Sequence, residues 1–295
     1  MGKTYTVEEA TYDSFKDIDI ALFAGGSISK DFAPHAVKAG AVVIDNSSAF
    51  RMDPEVPLVV PEVNPQAILK HKGIIANPNC STIIMVMALK PIYELSRIKR
   101  VIVSTYQAVS GAGKEGIDEL DNQVREHSEG REMIANILPS ASAEKHYPIA
   151  FNLIPQIDVF CDNLYTKEEM KMINETKKIM EDNEMRITAT TIRVPVYRSH
   201  SESVNIELEQ DVDLDVMRAA LAKFPGVTVQ DDPASQEYPM PLYTSEKDDV
   251  YVGRLRKDES CDKSYNLWVV GDQIRKGAAL NTLQIAETMI KNGWI

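Results

Sequence analysis

Cys80 is one of three cysteines in the chain, and it sits in a stretch suited to reactivity. The stretch reads Asn77-Pro78-Asn79-Cys80-Ser81-Thr82. A short apolar run ends before it, Pro78 stiffens the turn, and Cys80 falls in the first turn of the helix that follows. A helix N-terminus carries about half a positive charge and free N–H groups. A thiolate is favoured there, so the thiol pKa is expected to fall. The competing reading of a free cysteine is a small buried filler. A cysteine nucleophile also needs an acid or base within reach. His200, one of five histidines, lies in Arg193-Val194-Pro195-Val196-Tyr197-Arg198-Ser199-His200-Ser201-Glu202, where a strand meets a turn beside two arginines. A surface loop with incidental charge is the alternative for that stretch.

Two further stretches suit ligand binding. Ser104 to Lys114 runs from a strand into a small turn, Ser110-Gly111-Ala112-Gly113, ahead of a helix. Such a turn lets backbone approach a ligand and offers N–H groups to phosphate, though a plain connection would look the same. Asp45 to Met52 follows the C-terminal end of a strand, where open α/β sheets bind ligands. There Arg51 can grip a carboxylate or phosphate at two points, or simply be solvated.

These residues need a scaffold. Residues 19–26, 41–45, 58–60 and 73–76 read as short buried strands. A helix over 29–39 is closed by Gly40. Strands alternating with short helices predict a parallel, doubly wound sheet. Helices are predicted over 81–95, 114–127, 167–181, 213–224 and 276–291. Strands are predicted over 100–107, 188–196, 203–209, 250–256 and 265–270. The fold class is therefore α/β, a Rossmann-like parallel domain joined to an α+β domain with a mixed or antiparallel sheet. The last helix is expected to return to the first domain.

Composition narrows the function. At 295 residues the length suggests about two domains. A net charge of −12 leaves no basic face for nucleic acid. Three widely spaced cysteines without a CxxC argue against disulfides and against a zinc site, so no metal is expected and a reducing cytoplasm is the simplest home. The longest nearly apolar run, 83–89, is far short of the ~20 residues of a membrane helix. A myristoylation pattern at Gly2 and glycosylation sequons at Asn46 and Asn79 are short enough to arise by chance.

Taken together the stretches resemble the bacterial aspartate-β-semialdehyde dehydrogenase family. The resemblance runs the length of the chain through Gly25-Gly26-Ser27, DNSSAFRMD (45–53), VPEVN (60–64), NPNCST (77–82), STYQAVSGAGKEG (104–116), IPQIDVF (154–160), the RVPV and SHSE phrases within 193–202, and KGAALNTLQIAE (276–287). It implies NADPH-dependent reduction of β-aspartyl phosphate to aspartate semialdehyde, in the lysine, methionine and threonine branches of aspartate metabolism. Cys80 would form the thioester, His200 would be the acid/base residue, and Gln107 would orient the acyl group. Asn79 would help bind oxyanion or phosphate. Arg51 and Arg193 would bind substrate and phosphate; Glu168 and Lys171 would meet the substrate amino group and phosphate. On spacing alone the last two are only an i,i+3 surface pair. Gly25, Gly26, Ser27, Ser110, Gly111, Ala112, Gly113 and Asn281 would contact NADP. The resemblance also implies a homodimer built on the middle domain. The expected division is 1–79 with 271–295 for the dinucleotide, and 80–270 for catalysis and dimerisation.

One departure matters. The family pattern opens with a strand and a Gly-rich turn of the GATGAVG kind, and no such motif occurs here. Its absence predicts an open apolar sheet edge and a weakened hold on the dinucleotide. A family member reduced to its acyl-transfer and dimerisation half is therefore one alternative. A reductase of N-acetyl-glutamyl phosphate is another, which DNSSAFRMD and YQAVSGAGKEG disfavour.

Overall fold

The computed structural model describes residues 3–295, so the Gly2 pattern lies outside the described residues. Strands β1 (Ile20–Phe23), β2 (Val42–Asp45) and β3 (Ile74–Ala76) form a parallel sheet in the order β1-β2-β3. Parallel neighbours need a crossover. Helix α1 (Ser29–Lys38) supplies the first, and Gly40 closes it at φ 102°. The second is a loop and a 3-10 segment, Pro65–Lys70. The strand expected at 58–60 does not form: Leu58 makes an isolated bridge to Ala76. The prolines at 57 and 61 have no N–H, so the ladder cannot extend either way. Strand β1 is an edge of this sheet among the described residues, and Leu22 on it is 48% exposed.

Helix α2 (Cys80–Tyr93) is apolar almost all round because it is covered on all sides. It lies between the first sheet's rim and a six-stranded mixed sheet. That sheet comprises β4 (Ile98–Gln107), β5 (Arg186–Arg193), β6 (His200–Leu208), β7 (Val227–Val229), β8 (Val250–Lys257) and β9 (Ser264–Gly271), in the order β5-β4-β6-β9-β8-β7. The four central strands are antiparallel, while β5 and β7 run parallel to their neighbours. One apolar core joins Ile83 to Leu89 of α2 with Val101, Val204, Ile206 and Val269 of the sheet.

Helices α4 (Lys167–Met180) and α5 (Leu214–Lys223) pack on this core, α3 (Lys114–Ser128) packs in a smaller cluster with Val109, Leu138 and Ile149, and α6 (Pro241–Thr244) is a single short turn. Helix α4 starts sharply because Thr166 and Glu169 form a reciprocal capping box. The last helix begins with a π turn, Arg275–Ala279, and continues as α7 (Leu280–Asn292). Its Ile285 and Met289 pack on Ile44, Ile68 and Ile75, so it does return to the first sheet. Full burial of each side chain contributes roughly 1.5–3 kcal/mol.

Candidate active site

The geometry begins at Asn79. Its side-chain oxygen accepts the Thr82 N–H at 3.1 Å and caps α2, which places Cys80 as the first helical residue. Cys80 Sγ lies 3.5 Å from His200 Nε2. His200 is the first residue of β6 and is fully buried. Its Nδ1 accepts the Ala108 N–H at 3.0 Å, so Nδ1 carries no proton and the neutral ring bears its hydrogen on Nε2. Burial, and then the Arg193 charge, hold this imidazole well below the ordinary histidine value. The site therefore presents an N–H donor to the sulfur rather than a base.

The thiol pKa does not fall as the sequence suggested. Burial foremost, then the Glu168 carboxylate, push Cys80 up to about 12 against the pull of Arg51 and Arg193. Cys80 still lines the cleft and is partly open to it. The helix N-terminus places the sulfur, but the packed surroundings outweigh its partial charge.

Helix α4 presents Glu168, Lys171 and Glu175 on one face toward α2. Glu168 accepts from Asn79 Nδ2 at 2.9 Å and more weakly from Gln107 Nε2 at 3.4 Å. Lys171 lies 3.1 Å from both Glu168 and Asp158. Burial alone would raise Glu168, but Lys171, Asn79 and Arg193 together hold it below the usual carboxylate value. The pair is thus part of the cleft wall, not the solvated pair that spacing suggested. Glu175, which the sequence reading missed, accepts the Asn79 backbone N–H at 2.6 Å and pairs with Arg51 at 3.3 Å. Its signal was present: seven residues after Glu168, it repeats that residue's position on the helix. Its N–H and Oδ1 are engaged and one Nδ2 hydrogen goes to Glu168, so Asn79 positions the site and keeps a second Nδ2 hydrogen at the cleft lining.

Two arginines line the cleft. Arg51 donates to Asn46 O at 3.0 Å, and Arg193 to Ala108 O at 2.7 Å. The Nε atoms of both are buried without a partner, the condition of cations built to meet an anion. A cleft of about 380 Å³ joins Arg51, Arg193, Asn79, Cys80, Gln107, Glu168 and Lys171 to Gly26, Asn46, Gly111 and Gly277.

Of the residues expected at the dinucleotide, Gly26 and Gly111 line this cleft. Gly25 and Ser27 flank Gly26 at the end of β1. Ser110 is buried and its hydroxyl is held by Gln273, while Ala112 and Gly113 lead into α3 away from the cleft lining. Asn281 is fully buried, donates to Val59 O and Asn77 Oδ1, and accepts from Lys276. These bonds tie the start of α7 to Asn77, just ahead of Pro78 in the cleft lining. Gly277 was missed: a Cβ there would stand 3.1 Å from that of Cys80, so only glycine leaves the sulfur this open wall. At Gly111 a Cβ would strike Arg193 at 2.7 Å. These two bare backbones, facing the sulfur and the arginine, are a cradle that a flat nicotinamide ring fits.

A cysteine and an arginine beyond the C-terminal ends of the parallel strands, facing an imidazole donor and a second arginine from the mixed sheet, form the arrangement expected of an acyl-transferring dehydrogenase. Residues 1–71 match the family model for the semialdehyde dehydrogenase NAD binding domain, and residues 89–276 match that for the semialdehyde dehydrogenase dimerisation domain. The aspartate-semialdehyde dehydrogenase of Aquifex aeolicus is 55% identical over all of this chain and 86% of its own length. That of Bacillus subtilis is 54% identical over 98% of this chain and 84% of its own. The Vibrio cholerae aspartate semialdehyde dehydrogenase II, solved in complex with ASA, superposes with a TM-score of 0.89 at 45% identity, covering 97% of this chain and 83% of that one. The chain belongs to the aspartate-semialdehyde dehydrogenase family. The acyl-transfer-only fragment is not favoured, since both domains of the family are matched, and the relatives that match along the chain are aspartate-semialdehyde dehydrogenases rather than acetyl-glutamyl reductases.

Proposed function

We propose that the chain reduces β-aspartyl phosphate to L-aspartate 4-semialdehyde and phosphate with NADPH, as a cytoplasmic homodimer of amino-acid biosynthesis, with the dinucleotide half at 1–79 and 271–295 and the catalytic half at 80–270. The observation that carries the reading is Cys80 at the N-terminus of α2, 3.5 Å from His200 Nε2 and between two arginines with unpaired donors.

The Cys80 sulfur attacks the acyl carbon, a C–S bond forms, and phosphate leaves with the electron pair of the broken C–O bond and takes up the thiol proton, since His200 already carries its hydrogen on Nε2. Arg51 and Arg193 offer their free N–H groups to the substrate's phosphate and carboxylate. Glu168 faces the substrate ammonium. That contact has a second effect. Glu168 is one cause of the raised thiol, so an ammonium beside it relieves the carboxylate's field and lets the thiol ionise when substrate is present. His200 Nε2–H then donates to the thiolate and, after hydride addition, to the hemithioacetal oxyanion. Gln107 holds the acyl oxygen. Collapse of the hemithioacetal returns the electron pair to sulfur and releases the aldehyde. Gly26, Gly111 and Gly277 would hold the dinucleotide, which when bound supplies hydride to the thioester carbonyl.

The test is phosphate-dependent NADP reduction with aspartate semialdehyde, with a parallel NADPH titration followed by nucleotide fluorescence. Turnover that Cys80→Ala abolishes supports the reading. Unchanged turnover in that variant overturns it. Micromolar NADPH binding supports the dinucleotide assignment, and its absence confines the function to acyl transfer.

A further inference from the structure

The cleft is lined on one side by a loop, residues 46–56, that belongs to the first sheet, yet its anchor comes from the second half of the chain. Lys178 lies on α4 three residues after Glu175. Its Nζ donates to the carbonyls of Arg51 at 2.8 Å, Asp53 at 2.6 Å and Val56 at 2.8 Å. An ammonium has three hydrogens, and here each one goes to a carbonyl of the same loop. None is left for a carboxylate, so Lys178 is not a salt-bridge residue. It organises the loop as a metal ion would, gathering three oxygens at one point.

The gathered loop carries Arg51 into the cleft. One turn earlier, Glu175 takes Arg51 NH1 at 3.3 Å and the Asn79 N–H at 2.6 Å. Glu175 and Lys178 therefore grip one residue twice, by its guanidinium and by its own carbonyl. The same helix presents Glu168 and Lys171 to the cleft. A single rigid element fixes how far Arg51 stands from Cys80, although Arg51 and Cys80 lie on different strand–helix units.

We propose that Lys178 is a positioning residue for the anion subsite, setting the reach of Arg51 toward the phosphate. The inference rests on the reading of Arg51 as an anion-binding residue. Lys178 touches no ligand, and its loss leaves three partly exposed carbonyls that water can solvate, so the fold survives its removal.

The experiment measures protection of Cys80 from iodoacetamide by inorganic phosphate, following the Cys80 peptide by mass spectrometry, together with the KM values for phosphate and for NADP. Lys178→Met is expected to weaken phosphate protection, and to raise the phosphate KM, about tenfold. The NADP KM and the alkylation rate without phosphate should stay within twofold. Lys178→Arg, whose guanidinium can still reach several carbonyls, should recover most of the loss, and the neighbouring Lys177→Met is the charge control. Phosphate protection unchanged in Lys178→Met, or an equal change in Lys177→Met, overturns the proposal. So does a loss shared equally by phosphate, NADP and the unprotected alkylation rate. Arg51→Ala separates the two claims. If it leaves phosphate protection intact, the Arg51 assignment itself is wrong. If it abolishes protection while Lys178→Met does not, only the role of Lys178 falls.

Discussion

The hydrogen bond from Ala108 N–H to His200 Nδ1 predicts how His200 works. A ring whose Nδ1 faces a backbone donor at 3.0 Å cannot be protonated there without placing two hydrogens against each other. The neutral ring then has one hydrogen, on Nε2, directed at a sulfur 3.5 Å away. Giving that hydrogen up would leave an imidazolate, so His200 should act as a fixed donor rather than shuttle protons. A hydrogen bond to a charged group contributes roughly 1.5–3 kcal/mol. His200→Ala should therefore lower kcat/KM roughly ten- to 150-fold. His200→Gln keeps an N–H near the same place and should remain within about tenfold of the parent, by the same hydrogen-bond magnitude. Both variants strip Ala108 N–H of its acceptor, so that cost cancels in the comparison. The assay is kcat/KM from pH 5 to 9 for the three proteins. Burial and Arg193 put the imidazole well below 6.5, so no histidine limb should appear around neutrality. A limb near pH 6.5 that vanishes in His200→Gln, or equal loss in both variants, would refute the reasoning.

Other expectations follow from the same site. With its thiol pushed up to about 12, free Cys80 should alkylate faster by about tenfold per pH unit from 7 to 9 without a plateau; a plateau below pH 8 would show a low thiol value. Glu168→Gln removes a cause of that rise, so it should speed alkylation about three- to tenfold while weakening substrate binding; slower alkylation would contradict the field argument. Gly277→Ala sets a Cβ 3.1 Å from that of Cys80 and should cut turnover far more than it lowers the urea midpoint; equal losses would mean a packing role only. Glu202, two residues from His200, is fully buried with neither carboxylate oxygen bonded, and burial raises it well above 4.5. A carboxyl raised in the folded state stabilises fully below its unfolded value, and that contribution is lost as pH rises through the folded value. Glu202→Gln should therefore gain stability relative to the parent as pH increases from 5 to 9 in urea melts, and a constant difference would refute it.

What the sequence made legible was local. Cys80 could be placed because a strand, a proline and a cap must precede a helix of that composition, and Asn79 caps it as the residue types imply. Gly40 ended α1 for a similar reason: the chain there needs φ 102°, which glycine adopts readily. The strand at 58–60 was misread because three apolar residues look alike in a ladder and in a buried crossing. Only the missing N–H groups of Pro57 and Pro61 tell the two apart.

The site itself was legible as a set of residue types but not as a set of states, because charge states depend on neighbours far away in the chain. The thiol of Cys80 was expected to be low on the strength of its own helix. It is held high by burial and by the charge of Glu168, which stands 88 positions later in the chain. Glu168 and Lys171 looked like a solvated pair because spacing shows which residues share a face, not what that face meets. Here it meets the N-terminus of α2, and a surface pattern becomes a cleft wall. The same blindness hid Glu175 and Gly277, one a charge whose partners are Arg51 and a backbone N–H, the other defined by the side chain it lacks beside Cys80. In both cases the function lies in a contact between distant segments: helical spacing already put Glu175 on the face of Glu168, but only the folded chain shows its partners, and Gly277 left no such mark.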